Sequence, residues 1–113
     1  MNDDELWATI GRLRAWLDEH SGRPPQEALL LRVLKLSEEV GEVSEAVIGA
    51  IGQNPRKGVS HSWQDVESEL CDVVVTALVA LSTLNPDART RLTTHVAGIA
   101  ERSLGGGDPV AAS

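Results

Sequence analysis

Between Pro25 and Ala50 the apolar residues Leu29, Val33, Leu36, Val40, Val43 and Val47 recur at steps of four, three, four, three and four. This alternation belongs to an α-helix that buries one stripe against another helix, since a strand would repeat every two residues. Pro25 suits the first helical turn. Gly49 to Gly52, followed by Gln53-Asn54-Pro55-Arg56-Lys57-Gly58, reads as the turn-rich loop that ends it. A helix of about seven turns with so regular a seam needs helical partners, and the fold class follows from that need.

Three further segments supply them. Ser62, with Asp65 three residues later, resembles a helix cap and opens a segment with the seam Val66, Leu70, Val73, Ala77 and Leu81; Asn85-Pro86 closes it and caps the next. Asp3 to His20 begins with acids that suit a helix N-terminus, carries Leu6, Ile10, Leu13 and Leu17, and stops at Ser21-Gly22-Arg23-Pro24. Pro86 to Ser103 has a thinner stripe of Leu92, Val96 and Ile99. The chain has three Trp and neither Phe nor Tyr, which favours aliphatic helix packing over a β-sandwich. The expected fold is therefore all-α: a short four-helix bundle-type subunit around a central antiparallel hairpin. It forms one domain over residues 1–104, followed by a Gly-rich flexible tail over 105–113. So much amphipathic helix in a chain of 113 residues leaves apolar surface uncovered, so a homodimer or higher homo-oligomer is expected.

Charge and cysteine use narrow the function. Seventeen acidic residues against ten basic give a net charge of −7, which opposes binding to a nucleic-acid polymer or an anionic membrane. The longest uncharged run, Val73 to Pro86, has 14 residues, short of the about 20 that cross a bilayer. The opening Met1-Asn2-Asp3-Asp4-Glu5 is unlike a secretory signal, and a cytoplasmic location is expected. Cys71, the one cysteine, has no disulfide partner within the chain and reads as a small buried thiol.

The acids carry the functional signal. Glu38, Glu39, Glu42 and Glu45 lie on the second helix, and Glu67, Glu69 and Asp72 on the third. At roughly 100° per residue, Glu39 stands about 80° and Glu42 about 140° to one side of the seam, while Glu38 and Glu45 point away from the core. Glu69 and Asp72 fall at about 90° and 150° on the same flank of their helix. In an antiparallel hairpin equal offsets converge, so Glu39, Glu42, Glu69 and Asp72 can meet. Four carboxylates brought together call for a cation, and an oxygen-only donor set points to Mg²⁺ or Mn²⁺ and away from zinc. The competing reading is a solvated acidic helix face.

Lys35-Leu36-Ser37-Glu38-Glu39-Val40-Gly41-Glu42, then Glu69-Leu70-Cys71-Asp72 after a spacer of 26 residues, resembles the Glu-Glu-x-x-Glu … Glu-x-x-Asp pattern of the MazG-like, all-α nucleotide pyrophosphohydrolases. The resemblance covers about Leu29 to Leu84. It implies Mg²⁺-dependent cleavage of a nucleoside triphosphate between the α and β phosphates by a protein that is at least dimeric. It also implies metal ligation by Glu39, Glu42, Glu69 and Asp72. Glu38 matches the first Glu of the pattern, either as an accessory base for the attacking water or as a residue facing a partner subunit. A non-catalytic helical interaction or regulatory module that keeps the acidic site is the alternative.

Substrate contacts are sought among the cations and indoles. Lys35 stands one turn before Glu39, as a surface ion-pair partner or a phosphate contact. Arg56 and Lys57 form the paired basic loop between the two acidic helices, and His61 reads as a loop or capping residue. Trp7, Trp16 and Trp63 offer faces on which a base can stack, with core or interface packing as the competing role. The last helix offers Arg89, Arg91, His95 and Arg102 where the family carries a Lys- and Asn-bearing segment.

Overall fold

The structure is a computed structural model and describes residues 1–105; all but the first residue of the tail expected over 105–113 lies outside the described residues. The chain is all-helical: α1 Asp3–His20, α2 Pro25–Ile51, α3 Trp63–Leu84 and α4 Ala88–Ala100, the last running into a π-helical turn, Glu101–Gly105. No strand occurs among the described residues, and none of their helices is long and apolar enough to cross a membrane.

Local chemistry sets the helix ends. Asn2 accepts the Glu5 amide at 2.8 Å beneath the acids of the first turn of α1. Ser62 and Asp65 form a reciprocal capping box: the Asp65 amide donates to Ser62 Oγ at 3.1 Å, and the Ser62 amide to Asp65 Oδ2 at 2.9 Å. Gly52 ends α2 in the left-handed conformation, φ +65°. The cap of α4 is Asp87, which accepts the Thr90 amide at 3.3 Å, and not the expected Asn85. Asn85 instead closes the turn by accepting the Asp87 amide at 2.9 Å.

Helices α2 and α3 form the expected antiparallel hairpin. Its register is fixed at one end by Arg32 on Thr83 and at the other by Gly49, whose carbonyl accepts the amides of Ser60 and His61. The buried line differs from the expected seam. On α2 it runs through Ala28, Arg32, Glu39 and Ala46, one residue ahead of Leu29, Val33, Val40 and Val47. On α3, Val66 and Val73 face inward as expected, but Glu69 is drawn in and Leu70 is left 49% exposed. Apolar residues occupy more than one face of α2, so the leucine and valine stripe is not the only way to pack it. Small residues such as Ala46, Gly49 and Ala80 allow the closest approach between the helices.

The same rotation exposes Cys71, which is not the buried thiol the sequence suggests. It also leaves Leu30, Leu34, Val40, Val74 and Leu84 between 51% and 65% exposed. Helix α1 packs on α3 around Ile10, and α4 rests lightly on α3 and reaches the start of α1 through Arg89 on Asp4 at 2.6 Å. The four helices therefore do not close a four-helix bundle within one chain. Their radius of gyration, 18.0 Å, well exceeds the about 13 Å of a compact domain of about 100 residues.

At Gly49 an added methyl group would collide with the His61 ring and the Ser60 hydroxyl, whereas at Gly11 it would meet open space. Gly49→Ala is expected to lower stability by about 1–3 kcal/mol and Gly11→Ala to raise it by about 0.5–1 kcal/mol, read from denaturant unfolding. Equal effects would contradict the register described here.

Candidate metal centre

The hairpin brings Glu39 and Glu42 of α2 to Glu69 and Asp72 of α3. Carboxylate oxygens of Glu39, Glu69 and Asp72 lie within 4.8 Å of one another. Because the buried line runs ahead of the expected seam, Glu39 and Glu69 lie in the seam itself and not on its flank. Glu39 is only 8% exposed. The Oε2 atom of Glu69 is sequestered with no hydrogen-bond partner. A carboxylate oxygen in that position has lost its water and gained nothing in return, which the chain does not do where an acid is merely a solvated surface group.

The protein's own cations do not balance the cluster. Lys35 Nζ stands 3.3 Å from Glu39 Oε1, and its ammonium is held protonated above the usual lysine range by that bond, with Glu38 and Glu42 adding to it. Glu42 borders the three-acid cluster, its carboxyl raised above the ordinary glutamate range by the charge of Glu39 first, then by loss of solvent, then by Glu69. One ammonium against this many acids leaves a net negative cluster whose three nearest donors are all carboxylate oxygens. Such a donor set fits a hard divalent cation of the Mg²⁺ or Mn²⁺ kind.

The remaining sequence-nominated residues divide. Glu38 is exposed and stands outside the cluster. Glu45 lies further along α2, beside a cavity of about 90 Å³ whose lining includes Lys57 and His61. Among the described residues neither Arg56 nor Lys57 makes an ion pair with the acids. His61 packs on Gly49 and hydrogen-bonds Ser60 Oγ at 2.9 Å. Trp63 is exposed at the start of α3, and Trp7 is half-buried on α1.

Trp16 faces a sizeable cleft. The cleft, about 250 Å³, lies between α1, α2 and α3, with Leu13, Leu17, Val75 and Val79 as its apolar walls and Arg32, Lys35 and Thr76 as its polar ones. Thr76 stands one turn beyond Asp72 and Lys35 one turn before Glu39, so the cleft adjoins the acidic cluster. Arg32, absent from the sequence-nominated set, joins three helices here by donating to Asp18 Oδ1 at 2.7 Å and Thr83 Oγ1 at 3.0 Å. Its signal was legible as a charge set within Leu29-Leu30-Leu31-Arg32-Val33-Leu34.

The raised Glu42 carboxyl has a definite linkage. The folded chain holds this proton more tightly than the unfolded one, so the residue lowers stability as pH rises from 4.5 through its folded value, and the penalty persists above. In metal-free buffer at pH 7 Glu42→Gln is expected to melt at a higher temperature than the parent, with the difference vanishing below pH 4.5. A parent protein that melts at or above the variant at pH 7 would contradict the repulsive cluster.

Compared with family models, curated proteins and solved structures, the chain matches none.

Proposed function

We propose that the chain is a Mg²⁺-dependent nucleoside triphosphate pyrophosphohydrolase of the MazG-like kind, cleaving between the α and β phosphates to give a monophosphate and pyrophosphate. The observation that carries the reading is the convergence of Glu39, Glu69 and Asp72 on one point of the hairpin, with a sequestered, partnerless oxygen on Glu69. These three acids hold the cation, with Glu42 as the fourth carboxylate on its border. A bound Mg²⁺, for which Mn²⁺ is a substitute, supplies Lewis acidity toward the phosphate oxygens and neutralises the charge that develops there.

The chain's own groups do the rest. Lys35 stands between the acids and the cleft, where its ammonium can meet a phosphate oxygen. Trp16 and the aliphatic walls take the flat, apolar end of the nucleotide. In the reaction a water adds to one phosphorus flanking the bridging oxygen, that phosphorus–oxygen bond breaks, and pyrophosphate and monophosphate separate. The proton from water passes to a carboxylate, and Glu38 is the exposed acid nearest the cluster in sequence. Apolar residues left open on α2 and α3 support assembly through these helices into a homodimer or higher oligomer. A single exposed cysteine suits the reducing cytoplasm.

One observation favours a second reading, a regulatory helical module that binds the cation without turnover. Lys35 is already paired with Glu39, and Lys57 lines a separate cavity beside Glu45, so few cations stand at the three acids to meet a triphosphate. Pyrophosphate release from a panel of triphosphates with Mg²⁺ separates the two. The pyrophosphohydrolase reading expects release that Glu39→Ala, Glu69→Ala and Asp72→Ala each abolish together with Mg²⁺ binding, while Glu45→Ala keeps both. Mg²⁺ binding with no release from any nucleotide would select the regulatory module.

A further inference from the structure

Arg32 is nine-tenths buried, with 10% of its side chain exposed, a rare place for a cation. Its Nη1 is held from two sides by Asp18 and Thr83, which fixes the guanidinium plane; the bond from Arg32 is also the first cause of the lowered Asp18 carboxyl. The Nη2 is covered and has no acceptor in the protein. A buried charged donor left without a partner costs more than a neutral one, so this amino group calls for an acceptor from outside the chain. Arg32 forms part of the wall of the Trp16 cleft. Two other walls, Lys35 and Trp16, are 52% and 56% exposed, so a ligand entering the cleft can displace them.

We infer that Arg32 is a specificity-determining residue: its Nη2 reads a hydrogen-bond acceptor on the base in the Trp16 cleft, selecting a keto-bearing base over its amino counterpart. The inference rests on the pyrophosphohydrolase reading for the identity of the occupant. A guanidinium can only donate and keeps its charge at any working pH. A keto oxygen at the base edge therefore completes its bonding, whereas an exocyclic amino group there sets donor against donor and leaves both unpaired. The cleft, about 250 Å³, lies just below the about 300–1,000 Å³ of sites for larger ligands, which suits one ring system with the phosphates outside at the acids.

Deoxyuridine and deoxycytidine differ at this edge by the keto-for-amino exchange at C4 and the N3 proton that goes with it, and carry no phosphate, so their binding depends on neither metal nor turnover. Titrated into the full chain in metal-free buffer and followed by tryptophan fluorescence, with Trp16→Phe to identify the responding indole, deoxyuridine should bind about tenfold more tightly. Arg32→Met should bring the two affinities together. Equal affinities in the parent, or no binding of either at millimolar concentration, would overturn the inference without reference to any variant, and a water on Nη2 would then be its partner. Triphosphate hydrolysis without keto preference would overturn this inference and leave the proposed function standing. Keto-selective nucleoside binding without pyrophosphate release would support the inference and overturn that function.

Discussion

Glu39 is nearly buried between α2 and α3, Glu69 keeps one covered oxygen without a hydrogen-bond partner, and Asp72 closes the group from the outer edge, with the ammonium of Lys35 set against them. Burying carboxylates in a helical seam works against folding, since each gives up its water for neighbours of the same charge. Without added charge the hairpin must bear this repulsion, and the raised carboxyl of Glu42 is one sign that it does. A divalent cation at the same point would turn the largest electrostatic liability of the fold into an attraction across α2 and α3. Site and hairpin are thus one structure.

The acids also decide where the hydrophobic residues go. With Glu39 and Glu69 in the seam, the helices meet through small residues and through Arg32, and the larger leucines and valines are turned outward. Arg32 compensates in part by joining α1, α2 and α3 through Asp18 and Thr83. What remains is an open arrangement 53 by 49 by 27 Å, with a cleft beside the acids and apolar faces on the outside of the hairpin. Cleft and open faces follow from one cause: a line of charge occupying the position that a simple bundle would give to leucine.

Helix number, hairpin pairing and the caps at Ser62 and Gly52 were legible because they rest on local rules of period and backbone chemistry. Convergence of Glu39, Glu69 and Asp72 was legible too, since angular offset and antiparallel pairing suffice to place them together. Their depth was not. Periodicity places a buried stripe only to within about one residue, and on α2 the neighbours Leu29 to Leu31, Val33 and Leu34 made several stripes equally apolar. That one-residue difference exposes Cys71, draws Glu39 inside and puts Arg32 at the junction of three helices. Trp16 and not Trp7 faces the cleft because α1 lies across α3, a tertiary choice that no local pattern in α1 encodes.

Anomalous X-ray diffraction from crystals of the chain soaked in Mn²⁺ tests the central claim most directly, because it locates the cation without assuming any activity. The account predicts a peak bounded by the carboxylates of Glu39, Glu69 and Asp72, with the Glu69 oxygen that lacks a partner among its ligands. Absence of a peak at millimolar Mn²⁺, or a peak confined to surface acids such as Asp3 and Asp4, would contradict it.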